Sequence, residues 1–162
     1  MKKQHQTLQE YNRIITQRNS LLRRIRDQQA NAAQLGFWNQ ELVELGSRVL
    51  FTRLEMLSEL NAIIKNTHAN LINEAKTLFV DYVPTLEIQD EKPPALEESF
   101  QRALEVNQSR EIAAGQTLIG PHRDDIRFLL DGTDIGIFGS QGENRTVAVA
   151  LKLAEAEYMR SV

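Results

Sequence analysis

Phe138-Gly139-Ser140-Gln141-Gly142-Glu143-Asn144-Arg145-Thr146 is a turn-forming cluster that runs directly into the apolar-periodic stretch Val147 to Met159. Its composition is that of a helix start. Ser140 with Glu143 three positions on makes a capping box, and Gly139 and Gly142 let the backbone turn tightly and come close to a ligand. The N–H groups of a helix's first turn have no partner inside the helix. With the positive end of the helix dipole, they favour a phosphate or another anion there. The same pattern also caps helices that bind nothing, so spacing alone leaves both readings open.

Immediately upstream the period is two. Ile126, Phe128 and Leu130 alternate with Arg127 and Leu129, Asp131-Gly132 offers a tight hairpin turn, and Ile135 to Ile137 reads as the returning strand. Gly120-Pro121-His122-Arg123-Asp124-Asp125 reads as a turn or strand end. Successive side chains in such a run point in different directions, which argues against their converging on one ligand. Ala95 to Ala113 has helical spacing through Leu96, Phe100, Ala103, Leu104 and Ile112, closed by Gly115. Gln89 to Pro94 reads as a linker and Thr85 to Ile88 as a short strand, after Asp81-Tyr82-Val83-Pro84 has stopped the preceding helix.

Two helices are expected before that point. From His5 to about Ala33, Leu8, Tyr11, Ile15, Leu22 and Ile25 fall at three- and four-residue steps, with Arg18 in the one interrupted position. Gly36 is the expected terminator and Asn39 the expected cap of the next helix. Leu42-Val43, Val49-Leu50, Met56-Leu57 and Ile63-Ile64 then recur every seven residues, and Leu71 continues the row. A seven-residue repeat favours packing against a neighbouring helix with left-handed supercoiling. One helix from Asn39 to Phe79 would be roughly 60 Å long and must lie against something. The expected fold is therefore mainly α (α+β): an antiparallel helical hairpin or bundle arm, a small β-hairpin and a final helix. Gly46 and Arg53 weaken the second seam, which favours a bundle over a long free coiled coil. The expected division is a helical arm over 1–113, with helices at about 5–33, 39–79 and 95–113 and a strand and linker over 81–94, followed by a segment over 114–162.

Composition narrows the chemistry. The absence of cysteine removes disulfides, thiolate metal sites and cysteine nucleophiles. His5, His68 and His122 lack ligand spacing, so no metal is expected. No apolar run is long enough for a bilayer and the N-terminus lacks a signal-like core, so a cytoplasmic protein is expected, with no membrane partner. The net charge of −3 conceals an asymmetry: +5 over residues 1–35, −6 over 36–115 and −2 over 116–162. Arg13, Arg18, Arg23, Arg24 and Arg26 crowd one helical segment. Of these, Arg13, Arg23, Arg24 and Arg26 are the candidates for a DNA phosphate backbone. A solvated helix face is the competing reading, since no aromatic interleaving accompanies them.

A P-loop ATPase needs a Gly-rich loop ending in Gly-Lys-Ser/Thr and a carboxylate after a buried strand. The loop is absent from this chain. Ile126 to Asp131 imitates the acidic strand, but Arg127 breaks the buried run and Asp131-Gly132 is better explained as a turn.

Gly139-Ser140-Gln141-Gly142-Glu143 resembles the signature motif of ABC-type ATPases, in the variant carried by the RecF family of DNA replication and repair proteins. Gly120-Pro121-His122-Arg123-Asp124-Asp125, Gln17-Arg18-Asn19 with Leu21-Leu22, Trp38 with Glu41-Leu42, and Leu151-Lys152-Leu153-Ala154-Glu155 are similar to that family as well. The resemblance implies an excised middle part of a RecF-like protein: the helical arm and part of an ABC-type head, without the nucleotide-binding loop or the catalytic strand. In that family ATP, with Mg expected beside it, binds between two heads of an ATP-dependent homodimer. The signature of one subunit meets the γ-phosphate held by the other. Carried onto this chain, Gly139, Ser140, Gln141, Gly142 and Glu143 form that contact in trans. The chain alone has no catalytic residue and no cofactor, and is expected to be inactive as an ATPase. The family's role is ATP-dependent binding of double-stranded DNA and gap junctions in replication, recombination, repair and the SOS response, with RecO and RecR in loading RecA. Another SMC-like or Rad-type coiled-coil ATPase would have far longer arms. A stand-alone helical interaction module is the alternative of a different class.

Overall fold

A computed structural model describes residues 2–72 and 76–161. In chain order the elements are α1 (Lys2–Arg26), a 3-10 turn (Ala32–Gln34), α2 (Leu35–Ile72), β1 (Leu78–Val83), α3 (Pro93–Ala114), β2 (Asp125–Leu130), β3 (Thr133–Asp134), the single-turn α4 (Ile135–Phe138) and α5 (Gln141–Ser161). They form two compact units. The first comprises Met1–Arg53 and Pro84–Asp124, the second Leu54–Val83 and Asp125–Val162. This differs from the sequential division at residue 113. Residues 54–83, expected in the arm, lie in the second unit because β1 pairs with β2 there.

The first unit is a bundle of α1, the N-terminal part of α2, and α3. Tyr11 and Phe100 close over Gly46, while Leu21, Leu22 and Leu35 form a cluster joined by Ile25, Trp38 and Ile112. Pairing of residue 11 with 46 and of 18 with 39 makes α1 and α2 antiparallel, the hairpin that the heptads imply. The turn is made differently from expectation. α1 stops at Arg26, with Gln28 at φ 59°, and Gly36 and Asn39 are interior to α2. The working cap is Asn31, whose side chain accepts from the Ala33 amide at 2.8 Å while Gln34 answers in a capping box. α3 begins inside the expected linker, because Pro93 and Pro94 suit a first helical turn. Gly115 closes it at φ 65°, as its sequence position implies.

Arg18, the residue that interrupts the apolar seam of α1, lies fully buried in this bundle. Its Nη2 pairs with Glu111 Oε2 at 2.6 Å, Nη1 donates to Thr117 Oγ1 at 2.9 Å and Nε donates to Asn39 Oδ1 at 2.8 Å. Glu111 Oε1 accepts the Leu118 amide at 2.7 Å, and Asn19 Oδ1 accepts both the amide and the hydroxyl of Thr117. Each member of the network is thus answered by another. Gly120 follows at φ 119°, where a Cβ would lie 2.6 Å from both Phe100 Cζ and the Tyr11 hydroxyl, so only glycine fits.

In the second unit β1 and β2 are antiparallel, in a register that sets Val80 opposite Phe128 and Asp81 opposite Arg127. Asp131 (φ 48°) and Gly132 (φ 80°) make the expected tight turn with two left-handed residues, as a primed hairpin turn requires. One sheet face buries Leu78, Val80 and Leu130 against Ile64 of α2 and Val147, Ala150 and Ala154 of α5. On the other, Asp81 pairs with Arg127 at 2.6 Å. The expected strand 135–137 is instead α4: the Asp134 side chain accepts from the Gly136 amide at 2.9 Å and caps a helical turn. The expected strand at Thr85–Ile88 is irregular, and the strand that does form, β1, occupies the end of the helix expected to reach Phe79. The side chain of Leu71, the last of the heptad row, lies outside the described residues.

Breaking the buried pair should be more damaging than replacing it. Glu111→Ala is expected to cost about 3–5 kcal/mol by leaving Arg18 uncompensated, and the apolar pair Arg18→Met with Glu111→Leu to recover most of that loss. Urea unfolding followed through Trp38, the chain's one tryptophan and a member of this unit's cluster, measures both. A double variant as unstable as Glu111→Ala would show that the polar network has no apolar equivalent.

Candidate functional site

α4 ends where the stretch Gly139–Glu143 begins. The Gly139 amide donates to Ile135 O at 2.9 Å, and a Cβ on residue 139 would stand 2.4 Å from that carbonyl oxygen. Glycine is therefore required by the close approach of the backbone, not by a left-handed φ. Ser140 then caps α5. Its hydroxyl accepts the Glu143 amide at 3.3 Å, while Glu143 Oε2 accepts the Ser140 amide at 3.0 Å and the Ser140 hydroxyl at 2.9 Å. The capping box read from the sequence is formed. The Ser140 amide and hydroxyl, with Lys76 beyond them, hold the Glu143 carboxyl below the usual carboxylate range. Stability from this contact is present above that range and lost as pH falls through the lowered value.

Gly142 differs from Gly139. A Cβ there would meet nothing nearer than Ser140 Oγ at 3.9 Å, and the residue is exposed in the first turn of α5. Nothing among the described residues calls for glycine, which weakens a helix relative to alanine by as much as about 1 kcal/mol. The space left by the missing side chain opens to the outside. Ser140 and Gln141 are also exposed, and Ile137 and Phe138 beside them are 73% and 75% exposed. Val147, Ala150 and Ala154 hold the helix by its opposite face.

Lys76, absent from the sequence-derived site, approaches Glu143 Oε1 at 3.4 Å. The signal that would have found it is the β character of Leu78-Phe79-Val80-Asp81-Tyr82-Val83, which brings residue 76 beside the hairpin turn. Among the described residues, no group of three or more His, Asp or Glu side chains is placed to hold a metal ion.

The four arginine candidates lie on α1 in the first unit and have different neighbours. Arg13 lines a groove of about 690 Å³ between α1 and α2 with Glu10, Glu41, Phe37 and Trp38. Arg23 and Arg26 lie over Gly115 at the end of α3, where cations favourably face the helix dipole. Arg26 also pairs with Asp27 at 3.0 Å, and Arg24 is exposed. In the Gly120–Asp125 run the side chains take separate partners. His122 Nε2 donates to the Thr117 carbonyl at 3.1 Å, so its Nδ1 accepts from the Tyr11 hydroxyl at 2.9 Å. Burial holds this imidazole below its ordinary value, against the opposing pull of the Thr117 contact. Arg123 reaches Gln116 at 2.7 Å, and Asp124 accepts the amide and hydroxyl of Thr85, each at 2.7 Å. These residues pin a loop.

The fold and the capped Gly-Ser-Gln-Gly-Glu helix define a mainly α protein with a small antiparallel sheet and an exposed anion-suited helix start. No family model matches the chain. The DNA replication and repair protein RecF of Heliobacterium modesticaldum is 37% identical over 155 residues, covering 96% of this chain and 41% of that relative. RecF of Halothermothrix orenii is 34% identical over 160 residues, covering 97% and 43%, and RecF of Chloroflexus aggregans 38% over 159 residues, covering 95% and 41%. A solved structure described as "the recombination mediator protein RecF-ATP in RecFOR pathway" matches with a TM-score of 0.92 at 27% identity, over 98% of this chain and 42% of that one. A second, described as "RecF-ATPrS", gives 0.92 at 26% identity over 99% and 43%. The chain belongs to the RecF family and spans 41 to 43% of the length of the first two relatives named.

The two glycines should respond oppositely to a methyl group. Gly139→Ala is expected to destabilise the second unit by about 1–3 kcal/mol through the clash with Ile135, whereas Gly142→Ala should be neutral or stabilising by up to about 1 kcal/mol. Thermal unfolding of the two variants tests this, and a destabilising Gly142→Ala would mean that the fold itself needs the glycine.

Proposed function

We propose that this chain supplies the helical arm and the trans-acting signature segment of a RecF-type, ATP-dependent DNA-binding protein of the cytoplasm. In this reading Gly139, Ser140, Gln141, Gly142 and Glu143 face the γ-phosphate of an ATP molecule held by another subunit. The Ser140 hydroxyl and the amides that follow it are the donors. The observation that carries the reading is Gly142: an exposed glycine in a helical first turn, which no contact among the described residues requires, lets a ligand come up to the backbone. The donors suit an anion, and the first turn of α5 adds the positive end of its dipole. A magnesium ion accompanying the nucleotide would be held by the subunit that binds ATP, since the described residues offer no cluster of metal ligands here.

The wider role proposed is binding of double-stranded DNA and gap junctions in replication and recombinational repair, and loading of RecA with RecO and RecR; likeness to RecF proteins of DNA replication and repair supports it. Arg13, Arg23, Arg24 and Arg26 remain the DNA candidates on charge. The roles of Arg23 and Arg26 at the end of α3 make Arg24 the most available of them. This chain by itself should turn over no ATP.

In the full-length protein, with the flanking segments that its relatives carry, Ser140→Arg should weaken ATP-dependent association by more than about tenfold, since it puts a long side chain where preorganised donors act. ATP binding by the monomer should be unchanged. Sedimentation with and without nucleotide measures the first and equilibrium binding the second. Unchanged association would remove Ser140 from the contact.

A further inference from the structure

Glu143 serves two partners at once. Oε2 accepts the amide and the hydroxyl of Ser140, and Oε1 faces Lys76 Nζ at 3.4 Å. A serine hydroxyl carries one proton. While that proton points at Glu143, Ser140 has nothing to donate to an arriving phosphate oxygen. Glu143 also sets a negative charge at the helix start, where the phosphate would arrive. A single movement relieves both conflicts: the carboxylate turns toward Lys76, and the hydroxyl is released.

Lys76 is placed for this. Its backbone is fixed on two sides, by the His68 ring against its carbonyl oxygen at 3.3 Å and by the neighbouring Thr77 amide donating to Asp131 Oδ1 at 2.8 Å. Asp131 returns a backbone bond to Thr77 O at 3.0 Å, which ties this segment to the hairpin turn. The root of the side chain is therefore held while the ammonium end keeps its reach. The pair it makes is soft, with the Lys76 and Glu143 side chains 41% and 37% exposed, so its geometry can change at little cost.

We propose that Lys76 is a positioning residue for the signature helix: it draws the Glu143 carboxylate away from Ser140 when a phosphate group reaches the helix start, freeing the Ser140 hydroxyl to donate to that phosphate. The proposal rests on the reading that Ser140 meets a phosphate. It adds a cation 67 positions upstream of Glu143 that the motif itself does not contain. The occupant is a terminal phosphate of a nucleotide on another subunit.

The test is a double-mutant cycle in the full-length protein, with ATP-dependent association read by sedimentation for Lys76→Gln, Glu143→Gln and the double variant. Lys76→Gln should weaken association about three- to fivefold, the scale of a half-exposed charge pair. In the Glu143→Gln background the same change should alter it by less than about 1.5-fold, because a neutral amide needs no cation to draw it away. An equal loss in both backgrounds would mean that Lys76 contacts the phosphate directly, and no loss in either would mean that it has no part; both overturn the proposal. Thermal unfolding of the same variants separates a folding defect from a positioning one. Ser140→Arg is the control. If it too leaves association intact, the phosphate reading fails and the Lys76 role falls with it, whereas an effect at Ser140 with none at Lys76 sinks the Lys76 role alone.

Discussion

A buried guanidinium has to be answered on every side, and the first unit is built around that requirement. Taking Arg18 and Glu111 out of water carries a penalty of several kcal/mol per ion, which only close pairing and complete hydrogen bonding offset. The partners come from four places: Asn39 on α2, Glu111 on α3, Thr117 in the following loop, and Asn19 beside Arg18 on α1. A one-residue slip of any of these would leave a charge or an amide unmatched. The network thus acts as a register lock on a bundle whose apolar contacts alone would tolerate sliding. It also explains how a charged residue can sit in the middle of an otherwise apolar seam.

α2 shows why an apolar repeat is informative about an element and silent about its partner. Leu42, Leu45, Val49 and Leu50 are buried within the first unit, whereas Ile64 belongs to the core of the second, with Leu57, Leu60 and Ile63 packed against it. The spacing that predicts one long helix in a hairpin is the same in both parts, because a seven-residue period records only that one face is covered. The covering surface is α1 and α3 in one case and a sheet with α5 in the other. The strand β1 is hidden in the sequence for a related reason. Leu78 and Val80 continue an apolar row acceptable to a helix, and only pairing with β2 settles them as extended. Helix ends were hardest to read: Gly36 and Asn39 look like punctuation but lie inside α2, while Asn31, an unremarked polar residue, makes the cap.

The cap of α5 was more legible than the fold around it, because a capping box is local chemistry. Ser140 and Glu143 form the reciprocal bonds that their spacing implies, and Gly139 and Gly142 prove to be glycines for different reasons, one steric and one open. What the sequence hides is the long-range partner. Lys76 reaches Glu143 only because the β1–β2 pairing brings the start of β1 next to the hairpin turn, and no local pattern records that. The Arg18 network was equally invisible, since a lone arginine in a basic helix reads as solvated until its acceptors on other helices are seen. The open space at Gly142, which packing among the described residues does not need, is what the proposed phosphate contact in trans would use.

The claim that this helix start works in trans is tested most directly by mixing subunits of the full-length protein. One population carries Ser140→Arg and the other a substitution of the lysine in the nucleotide-binding loop, so that neither can complete a composite site with its own kind. ATP turnover by the mixture is then measured against each population alone. The account predicts that mixed dimers regain one working site, the intact loop of the first variant meeting the intact signature of the second, with turnover rising well above either parent. Turnover that stays at the level of the separate variants would contradict it.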